Sequence, residues 1–365
     1  MRFYQILPAF AALAVASSTH ELQARACTGT ISSLSDVAAA VGCTTITINS
    51  FTVPAGETFT LALATGTTVN MAGDVTFGEK NWSGPLFMIT GKQITFNGNG
   101  HTFNGNGPFY WDGQGLNGGV TKPDPMMHVE ISGTWSNVKL LNSPARAYSV
   151  ANTAALVMSD LTIDNSAGDA PNSQSGGKAA GHNTDGFDTS KNDLTIQNSV
   201  VMNQDDCLAI NKGSNLLFTG NTCSGGHGIS VGSISSSVTV SNVTITNNKV
   251  TNSMQALRIK TKASASSSTV SGITYSGNTA SGITDFGVLI DQSYPSTLGT
   301  PGSGVKLSGV TFSGTNTITV NSGADRVAVN CGSGSCTGTW NWSGLKVSGG
   351  SAGPINFSGI TGFTQ

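Results

Sequence analysis

Short strand-like segments recur along most of this chain, and their spacing constrains the fold more than any other feature. Each segment alternates apolar and polar residues and then ends in Asn, Gly or other turn residues. The segments begin at residues 94, 161, 194, 216, 243, 273 and 310. Their third positions are 67, 33, 22, 27, 30 and 37 residues apart. We interpret the first gap as three units of about 22 residues and the others as one unit plus loop insertions.

A period in the low twenties indicates a solenoid in which each repeat forms one coil. Leucine-rich repeats share this period, but their leucine and asparagine signature is missing, and helical repeats are longer and richer in Ala and Leu. The sequence therefore predicts an all-β parallel β-helix, in which inward apolar residues stack from coil to coil. One short helix is predicted at Val37–Val41, capped by Ser35 and Asp36 and ended by Gly42. We expect it to cover one open end of the solenoid.

The composition narrows the class of protein. Charged residues make up 10% of the 365 residues and hydrophobic residues 38%, with a formal net charge of −2. A coiled coil needs far more Glu, Lys and Arg, and a disordered chain is less apolar or more highly charged. The charge balance gives no basis for binding nucleic acid. After residue 16 no apolar run is long enough to span a membrane. Because a solenoid with capped ends needs no partner, we expect a monomer.

The N-terminal residues and the cysteines predict a secreted, extracellular protein. Residues 1–16 have the charged start, apolar run and small-residue end of a signal peptide, and residues 17–25 are a possible pro-segment. The remaining residues, 26–365, are predicted to form a single β-helix catalytic domain. The six cysteines allow fifteen pairings, of which we favour the sequential one, Cys27–Cys43, Cys207–Cys223 and Cys331–Cys336. Asparagines in glycosylation sequons are Asn81, Asn242, Asn341 and Asn356.

The most informative stretch is 181–233, where a step of 21 residues brings similar residues into line. Phe187, Leu208 and Ile229 form one inward apolar column in this alignment. Two places earlier, Asp185, Asp206 and His227 align, and Asp205 lies beside them. Aligned residues of neighbouring coils are about 4.8 Å apart, so the sequence predicts a cluster of carboxylates and an imidazole.

Strand alternation poses a difficulty for this cluster. Asp185 and Phe187 have the same parity, so an ideal strand would point both inward. Gly186 and Gly228 can carry a bend that turns the polar residue outward, whereas the middle coil has Cys207 at this place. Buried carboxylates without partners would be prohibitively unfavourable, which favours the outward orientation.

Leu257 and Ile259 alternate with Arg258 and Lys260 along a later strand. The two apolar residues are expected to point inward, so the two cations point outward. Two cations near an acidic cluster on one sheet can hold an anionic group. The structural alternative is an exposed strand face whose cations balance the aspartates.

Four short motifs now occur in order: Asn183-Thr184-Asp185, Asn203-Gln204-Asp205-Asp206, Gly226-His227-Gly228 and Arg258-Ile259-Lys260. Together they resemble the motifs of the fungal endopolygalacturonases of glycoside hydrolase family 28. The resemblance spans residues 181–294 and implies a right-handed parallel β-helix. It also implies an endo-acting, inverting hydrolase of the α-1,4-galacturonosidic bonds in homogalacturonan, the de-esterified pectin also called polygalacturonate.

The resemblance implies roles for these residues. Asp205 is the general acid, Asp185 and Asp206 activate water, and His227 tunes the acid. An inverting glycosidase needs such a separate acid and base. The alternative reading of these aspartates is turn chemistry or a calcium loop, and a histidine between two glycines is ordinarily a loop residue. The expected enzyme uses no metal and no other cofactor.

Other residues are predicted to bind the substrate. Arg258 and Lys260 are expected to bind the galacturonate carboxylate, with Arg258 able to do so bidentately. Tyr294 resembles the substrate-contacting tyrosine of the family, although a stacking loop aromatic explains it nearly as well. His182 and Asn183 are expected at a subsite, and the asparagine could instead stabilise a turn.

Several functions remain open at this point. An exo-polygalacturonase or a rhamnogalacturonan hydrolase would have the same fold and related substrates, although the latter is expected to lack the Arg-Ile-Lys cations. A pectate lyase would need Ca²⁺ and a basic arginine. A non-catalytic wall-binding β-helix explains the repeats but not four motifs in order.

Overall fold

The computed structural model describes residues 25–365. Its backbone winds into a parallel β-helix in which each coil contributes strands to three stacked sheets. Pairs of neighbouring strands are parallel, as between the strands that carry Phe187, Leu208 and Ile229. The predicted fold is confirmed. The predictions for residues 1–16 and for nearly all of 17–25 lie outside the described residues.

Sheet 1 is the stack of parallel strands that begins with the pair formed by residues 25–31 and 43–48. Its strands are β1 (Arg25–Ile31), β2 (Cys43–Ile48), β5 (Thr68–Met71), β12 (Leu156–Ser159), β15 (Leu194–Gln197), β18 (Gly213–Thr219), β21 (Thr239–Thr246), β24 (Ser268–Ser276), β27 (Val305–Ser313) and β29 (Cys336–Thr337), with the second halves of β7 (Phe87–Asn97) and β9 (Met127–Ser136).

Sheet 2 comes next along each coil. Its strands are β3 (Phe51–Val53), β6 (Val75–Phe77), β8 (Thr102–Asn104), β10 (Lys139–Leu141), β13 (Thr162–Asp164), β16 (Val200–Asn203), β19 (Thr222–Gly225), β22 (Lys249–Thr251), β25 (Thr279–Ile283) and β31 (Leu345–Ser351), with the first half of β28 (Asn316–Asn330).

Sheet 3 completes the coil and carries the candidate site. Its strands are β4 (Phe59–Ala62), β11 (Tyr148–Val150), β14 (Phe187–Thr189), β17 (Leu208–Ile210), β20 (Ile229–Ile234), β23 (Gln255–Lys262) and β26 (Phe286–Tyr294), with the first halves of β7 and β9 and the second half of β28. The remaining elements are helices α1 (Val37–Ala40) and α2 (Gly107–Tyr110), 3₁₀ turns at Leu34–Asp36 and Ser166–Gly168, and a separate strand pair, β30 (Trp340–Asn341) with β32 (Ile360–Thr361).

The core is a set of columns of buried side chains that run along the solenoid axis. Phe96, Trp135, Met158 and Ile196 are in register in sheet 1, and the rings of Phe96 and Trp135 stack with centroids 4.0 Å apart. Each residue buries its apolar surface against the coils on either side, which is the main favourable contribution to folding. A coil on its own has no such neighbours, so the stack stabilises the fold.

The sequence assignment placed Ile163 in the same column as Phe96, and this was wrong. Ile163 pairs with Leu140 and Val201 in sheet 2. The gap from 96 to 163 is therefore not three units, since Trp135 and Met158 occupy the intervening places in sheet 1. The error has a physical reason. The strands of sheets 1 and 2 both alternate apolar and polar residues and both end at Asn-containing turns, so periodicity alone does not separate them.

The short helix α1 is present where it was predicted. Ala40 is buried in the core, and Leu34, Val37 and Val41 pack partly buried against it, so this segment covers the first coil. The predicted side-chain cap is wrong. The Asp36 carboxylate accepts hydrogen bonds from the Ser32 amide and the Ser33 hydroxyl instead, which stabilises the preceding turn.

All three predicted disulfides are present: Cys27–Cys43, Cys207–Cys223 and Cys331–Cys336. The first and third lie near the two ends of the stack, and the second lies under the candidate site. The four sequon asparagines are exposed, and their glycosylation stays a prediction. None of the helices between residues 25 and 365 has the length and apolarity needed to cross a lipid bilayer.

Candidate active site

The predicted cluster forms in the turns that lead from sheet 2 into sheet 3. The column of Phe187, Leu208 and Ile229 is confirmed by their strand register. Asp185 and Asp206 precede these strands by two residues, so they belong to the turns and strand alternation does not apply to them. The chain bends at positions 186 and 207. This resolves the parity difficulty even at Cys207, where there is no glycine.

The turn at 226–228 lies next to the aspartate turn of the preceding coil. Gly226 and Gly228 have φ angles of +57° and +76°, which disfavour other residues. As a result, the backbone amide of His227 donates to the carbonyl of Asp205 at 2.9 Å. In this ladder an amide bonds to the carbonyl one place before its aligned residue, so His227 aligns with Asp206, as the step of 21 residues predicts. The His227 side chain nevertheless contacts Asp205, and ligand atoms of all three residues lie within 4.8 Å of one another.

Asn203 and Gln204, which precede the two aspartates, hold these turns together. Asn203 donates from its side chain to the carbonyls of Thr184 and Asp206, both at 2.9 Å. The side-chain oxygen of Gln204 accepts a hydrogen bond from the Thr184 hydroxyl at 2.8 Å, and the backbone amide of Gln204 donates to that hydroxyl at 2.9 Å. Two neighbouring coils are thereby fixed relative to each other, which explains why the motif extends beyond the carboxylates.

Asp205 has the densest hydrogen bonding of the three aspartates. Its Oδ1 contacts His227 Nδ1 at 2.9 Å and accepts the Asp206 amide at 2.8 Å, and its Oδ2 accepts from Asn183 Nδ2 at 3.1 Å. Burial raises the pKa of Asp205, but the hydrogen bond and charge of His227, with the charge of Lys260, outweigh burial and bring it to about 2. Burial lowers the pKa of His227, yet its contact with Asp205 raises it overall. In the free protein the shared proton therefore lies on the histidine side.

Asp206 is paired with Lys260. Lys260 Nζ lies 2.5 Å from Asp206 Oδ2, and both side chains are buried. The Ser230 hydroxyl donates to the other carboxylate oxygen at 2.7 Å. Lys260, predicted to bind the substrate carboxylate, is thus already committed to a carboxylate of the protein.

Asp185 is in a different electrostatic state. Burial raises its pKa well above the ordinary value, and the negative charges of Asp205, Asp188 and Asp206 raise it further. Asp188, which the sequence analysis missed, lies outward on β14 near this group. Burial raises the pKa of Asp188 to about 6 despite the opposing charge of Arg146. Strand parity could have identified it, since its neighbours Phe187 and Thr189 are buried inward residues.

Two adjoining cavities lie along the outer face of sheet 3. The first, of about 350 Å³, is lined by His182, His227, Gln255 and Arg258, among others. The second, of about 140 Å³, is lined by Asp185, Asp188 and Asp206, among others. Residues lining both are Asn183, Asp205, Lys260 and Tyr294. Of the three predicted catalytic aspartates, all within the described residues, Asp205 is therefore the one that lines both cavities.

The first cavity contains polar atoms without partners. Arg258 Nε and Gln255 Oε1 are buried, and neither has a hydrogen-bond partner among residues 25–365. Unsatisfied buried groups are unfavourable and rare unless a ligand or water completes them. The Tyr294 ring centre lies 5.9 Å from the Arg258 guanidinium and 5.4 Å from Lys260 Nζ, so the tyrosine packs beside both cations. Gln255 had no sequence signal, because it belongs to none of the four motifs.

His182 and Asn183 connect the site to the loop 112–122. The Asn117 side-chain amide lies 3.2 Å from His182 Nε2 and 3.2 Å from Asn183 Oδ1. Asn183 also accepts the Leu116 amide at 3.0 Å. Its φ of +52° shows that Asn183 stabilises a turn as well as facing the cavity. Both predicted roles of Asn183 are therefore compatible with its position.

Asp205, Asp206 and His227 could together offer ligands to a metal ion. Their donor atoms, however, are already used within the protein. His227 is bonded to Asp205, and the Lys260 ammonium occupies the side of Asp206 where a cation would bind. This donor set is therefore better matched to proton transfer than to a divalent cation.

Comparison with known proteins places these features in context. A model of the glycosyl hydrolases family 28 matches residues 43–361. The chain is 43% identical over 352 residues to endopolygalacturonase 1 of Colletotrichum lindemuthianum, with 94% of each protein covered. It is 45% identical over 315 residues to a polygalacturonase of Penicillium janthinellum, covering 84% of this chain and 82% of that protein. Endopolygalacturonase I from Stereum purpureum, solved in complex with two galacturonate, has a similar structure with a TM-score of 0.87 and 50% identity, covering 91% of this chain and 98% of that one.

Proposed function

This chain belongs to the glycosyl hydrolases family 28, and on that premise we propose that it hydrolyses α-1,4-galacturonosidic bonds within polygalacturonate. The chain is a glycoside hydrolase, which argues against the lyase and the non-catalytic wall protein. The relatives named endopolygalacturonase support an endo mode over an exo mode. Three disulfides support action in an oxidising, extracellular compartment, where such a polysaccharide is found.

One observation carries this proposal: Asp205 lies at the junction of the two cavities. On one side are Arg258 and Gln255, whose buried Nε and Oε1 atoms have no hydrogen-bond partner in the described part of the chain. On the other side are Asp185 and Asp206. A sugar chain lying through both cavities would place its scissile oxygen near Asp205. The carboxylates in the second cavity would then face the anomeric carbon from the side where water attacks.

The proposed reaction follows from this arrangement. Asp205 donates a proton to the glycosidic oxygen of the leaving sugar, which Arg258 holds by its carboxylate. Asp185 and Asp206 orient and deprotonate a water molecule that attacks the anomeric carbon. The water displaces the leaving group from the opposite face, so the configuration inverts. Lys260 holds the Asp206 carboxylate in place through their ion pair, and Tyr294 packs against the sugar in the first cavity.

The proton state of Asp205 must change when the substrate binds. In the free protein Asp205 and His227 form an ion pair, with the proton on the histidine. A bound sugar displaces water, and a drier environment favours the neutral pair over the ion pair. The proton then moves onto Asp205 along the existing hydrogen bond, whose nitrogen and oxygen are 2.9 Å apart, and Asp205 becomes the acid. This gives His227 a specific task in the reaction.

The proposal is tested by the products formed from polygalacturonate. Endo cleavage with inversion gives a mixture of oligomers early in the reaction, and proton NMR shows β-configured new reducing ends before mutarotation. Monomer as the sole early product would identify an exo enzyme. Unsaturated products absorbing in the ultraviolet would contradict hydrolysis, and cleavage of rhamnogalacturonan alone would contradict the substrate.

A further inference from the structure

Arg146 belongs to the same stack of turns as the proposed water-activating residues. The amide of Ala147 donates to the carbonyl of Asp185 at 2.8 Å, and the amide of Gly186 donates to the carbonyl of Asp206 at 2.9 Å. Arg146, Asp185 and Asp206 therefore occupy equivalent places in three consecutive coils. Neighbouring strands of such a stack are about 4.8 Å apart, so Arg146 extends the row on the side away from Arg258.

The guanidinium of Arg146 is held by one carboxylate and faces another. Its Nε donates to Asp124 at 3.0 Å and its Nη2 also contacts Asp124. Its Nη1 lies 3.9 Å from Asp188 Oδ2, which is too far for a hydrogen bond. Asn211 satisfies Oδ1 of Asp188, but the buried Oδ2 has no hydrogen-bond partner in the described chain. Arg146 Nη1 thus faces a carboxylate oxygen that has no hydrogen-bond partner among residues 25–365 and that belongs to Asp188, a residue lining the second cavity.

The charges of the second cavity make a cation necessary for the proposed substrate. Polygalacturonate carries one carboxylate on every sugar unit. The cavity is lined by four carboxylates, those of Asp185, Asp188, Asp205 and Asp206. Lys260 is already paired with Asp206, so its charge is largely used. A galacturonate unit on this side would be repelled unless a further cation met its carboxylate.

We propose that Arg146 binds the carboxylate of the galacturonate unit on the Asp185 side of the scissile bond and thereby sets specificity for a de-esterified unit there. Arg146 Nη1 donates to that carboxylate, and Asp188 Oδ2 interacts with a hydroxyl of the same sugar. This inference rests on the proposed function. It gives the enzyme one carboxylate-binding cation on each side of the cleaved bond, Arg146 and Arg258.

The decisive comparison is Arg146→Gln with the wild-type protein on end-labelled hexagalacturonate. Because one charge-assisted hydrogen bond is lost in both the bound substrate and the transition state, KM rises roughly ten-fold with little change in kcat. The preferred cleavage position along the hexamer shifts as well. Arg146→Lys keeps the charge and recovers part of the loss. With methyl-esterified hexamer, Arg146→Gln and wild type have similar KM values.

A control separates binding by Arg146 from a general effect of losing an arginine. Arg326→Gln removes an arginine that donates to the carbonyls of Gly349 and Gly350. It leaves KM within about three-fold of wild type. Thermal melts confirm folding of each variant.

The outcomes are distinguishable. If methyl esterification of the hexamer leaves the KM difference between Arg146→Gln and wild type unchanged, Arg146 does not bind the carboxylate and the inference is overturned. An unchanged KM and cleavage pattern in folded Arg146→Gln also overturns it. If the wild-type protein does not cleave hexagalacturonate, the proposed function fails instead.

Discussion

Asp205 differs from its two neighbouring aspartates in its partners. Asp206 is paired with Lys260 and Asp185 has no ion pair among residues 25–365, whereas Asp205 shares a hydrogen bond with the titratable His227. A general acid must gain and lose a proton in each cycle, and an imidazole at 2.9 Å supplies a proton without requiring water. Partners, rather than position along the stack, therefore distinguish the acid from the bases.

Replacement of Asp205 by Asn removes the proton donor while keeping the shape of the side chain. We expect kcat to fall about 10²–10⁴-fold, the usual contribution of general acid catalysis, with little change in the thermal unfolding temperature. The release of reducing ends from polygalacturonate measures this loss. Asp193→Asn is the matched control, because Asp193 is exposed and has a φ of +57°, which Asn adopts readily. Comparable activity in the two folded variants would rule out Asp205 as the acid.

The pH dependence of kcat/KM reports the proton states of the free enzyme. Asp185 must be ionised to accept a proton, so activity rises with pH through its raised pKa. The Asp205–His227 pair must keep its proton, so activity falls through the pKa of His227, which lies above 6.5. In His227→Asn, Asp205 must hold the proton alone, and we expect the alkaline limb to move to lower pH. An unchanged alkaline limb in this variant would show that His227 does not supply the proton.

The residues that the sequence identified and those it missed differ in a physical way. Asp185, Asp205 and His227 lie in coils separated by a regular step of 21 residues, so their proximity could be predicted. Arg146 precedes β11, which pairs with β14 at a separation of 39 residues because a long loop lies between the two strands. This insertion prevents the alignment of Arg146 with Asp185 from being recognised in the sequence. Gln255 precedes Arg258 on the same strand, but only the packed structure shows that its side-chain oxygen lacks a partner.

At the scale of a single element, the turn 225–228 places His227. Cys223, on the preceding strand, is bonded to Cys207, which follows the two aspartates directly. The disulfide and the two left-handed glycines thus fix the histidine turn against the aspartate turn. The sequence predicted both the disulfide and a glycine-dependent bend. The contact of the His227 side chain with Asp205, rather than with its aligned residue Asp206, could not be predicted from this alignment.

Substitution of Gly226 by Ala tests this turn. A Cβ atom there would lie 2.0 Å from the backbone oxygen of Asp205, so the turn must move. We expect the His227–Asp205 hydrogen bond to break and kcat to fall at least ten-fold while most of the stack remains folded. Gly176→Ala is the control, since Gly176 has a φ of +60° but nothing within 4 Å of the added atom. Equal activity of both variants would mean that the position of this turn does not matter for catalysis.

At the scale of the whole molecule, the same side-chain contacts recur from one coil of the solenoid to the next. Asn221, Asn248, Asn278 and Asn316 form a buried ladder in which each side chain bonds to the next coil. The repeat period revealed this architecture because each coil needs the same inward residues and the same turn asparagine. Assignment of a segment to sheet 1 or sheet 2 was not possible from that period, as Ile163 shows, because the two sheets have the same local pattern.

The clustering of carboxylates also makes the stability of the whole molecule depend on pH. Asp185, Asp188 and His227 all have raised pKa values, so the folded protein binds more protons than the unfolded chain from the ordinary pKa of each group, 3.8 for the aspartates and 6.5 for the histidine, up to its raised pKa. Stability is then greatest at the acid end of this range and falls as the pH rises. The opposite effect of Asp205 is confined to lower pH, between about 2 and its ordinary value.

We therefore expect the free energy of unfolding, measured by urea denaturation, to decrease from pH 4.5 to pH 7.5. Burial raises the pKa of Asp188 from 3.8 to about 6. Only the part of this shift between pH 4.5 and about 6 falls within the measured range, so at about 1.4 kcal/mol per pKa unit its share of the decrease is about 2 kcal/mol. Asp188→Asn cannot ionise, so the decrease should be smaller by roughly that amount, whereas the exposed Asp193→Asn should reproduce the wild-type decrease. Stability that rose over this range, or an identical decrease in Asp188→Asn, would contradict the assignment of buried protons to this cavity.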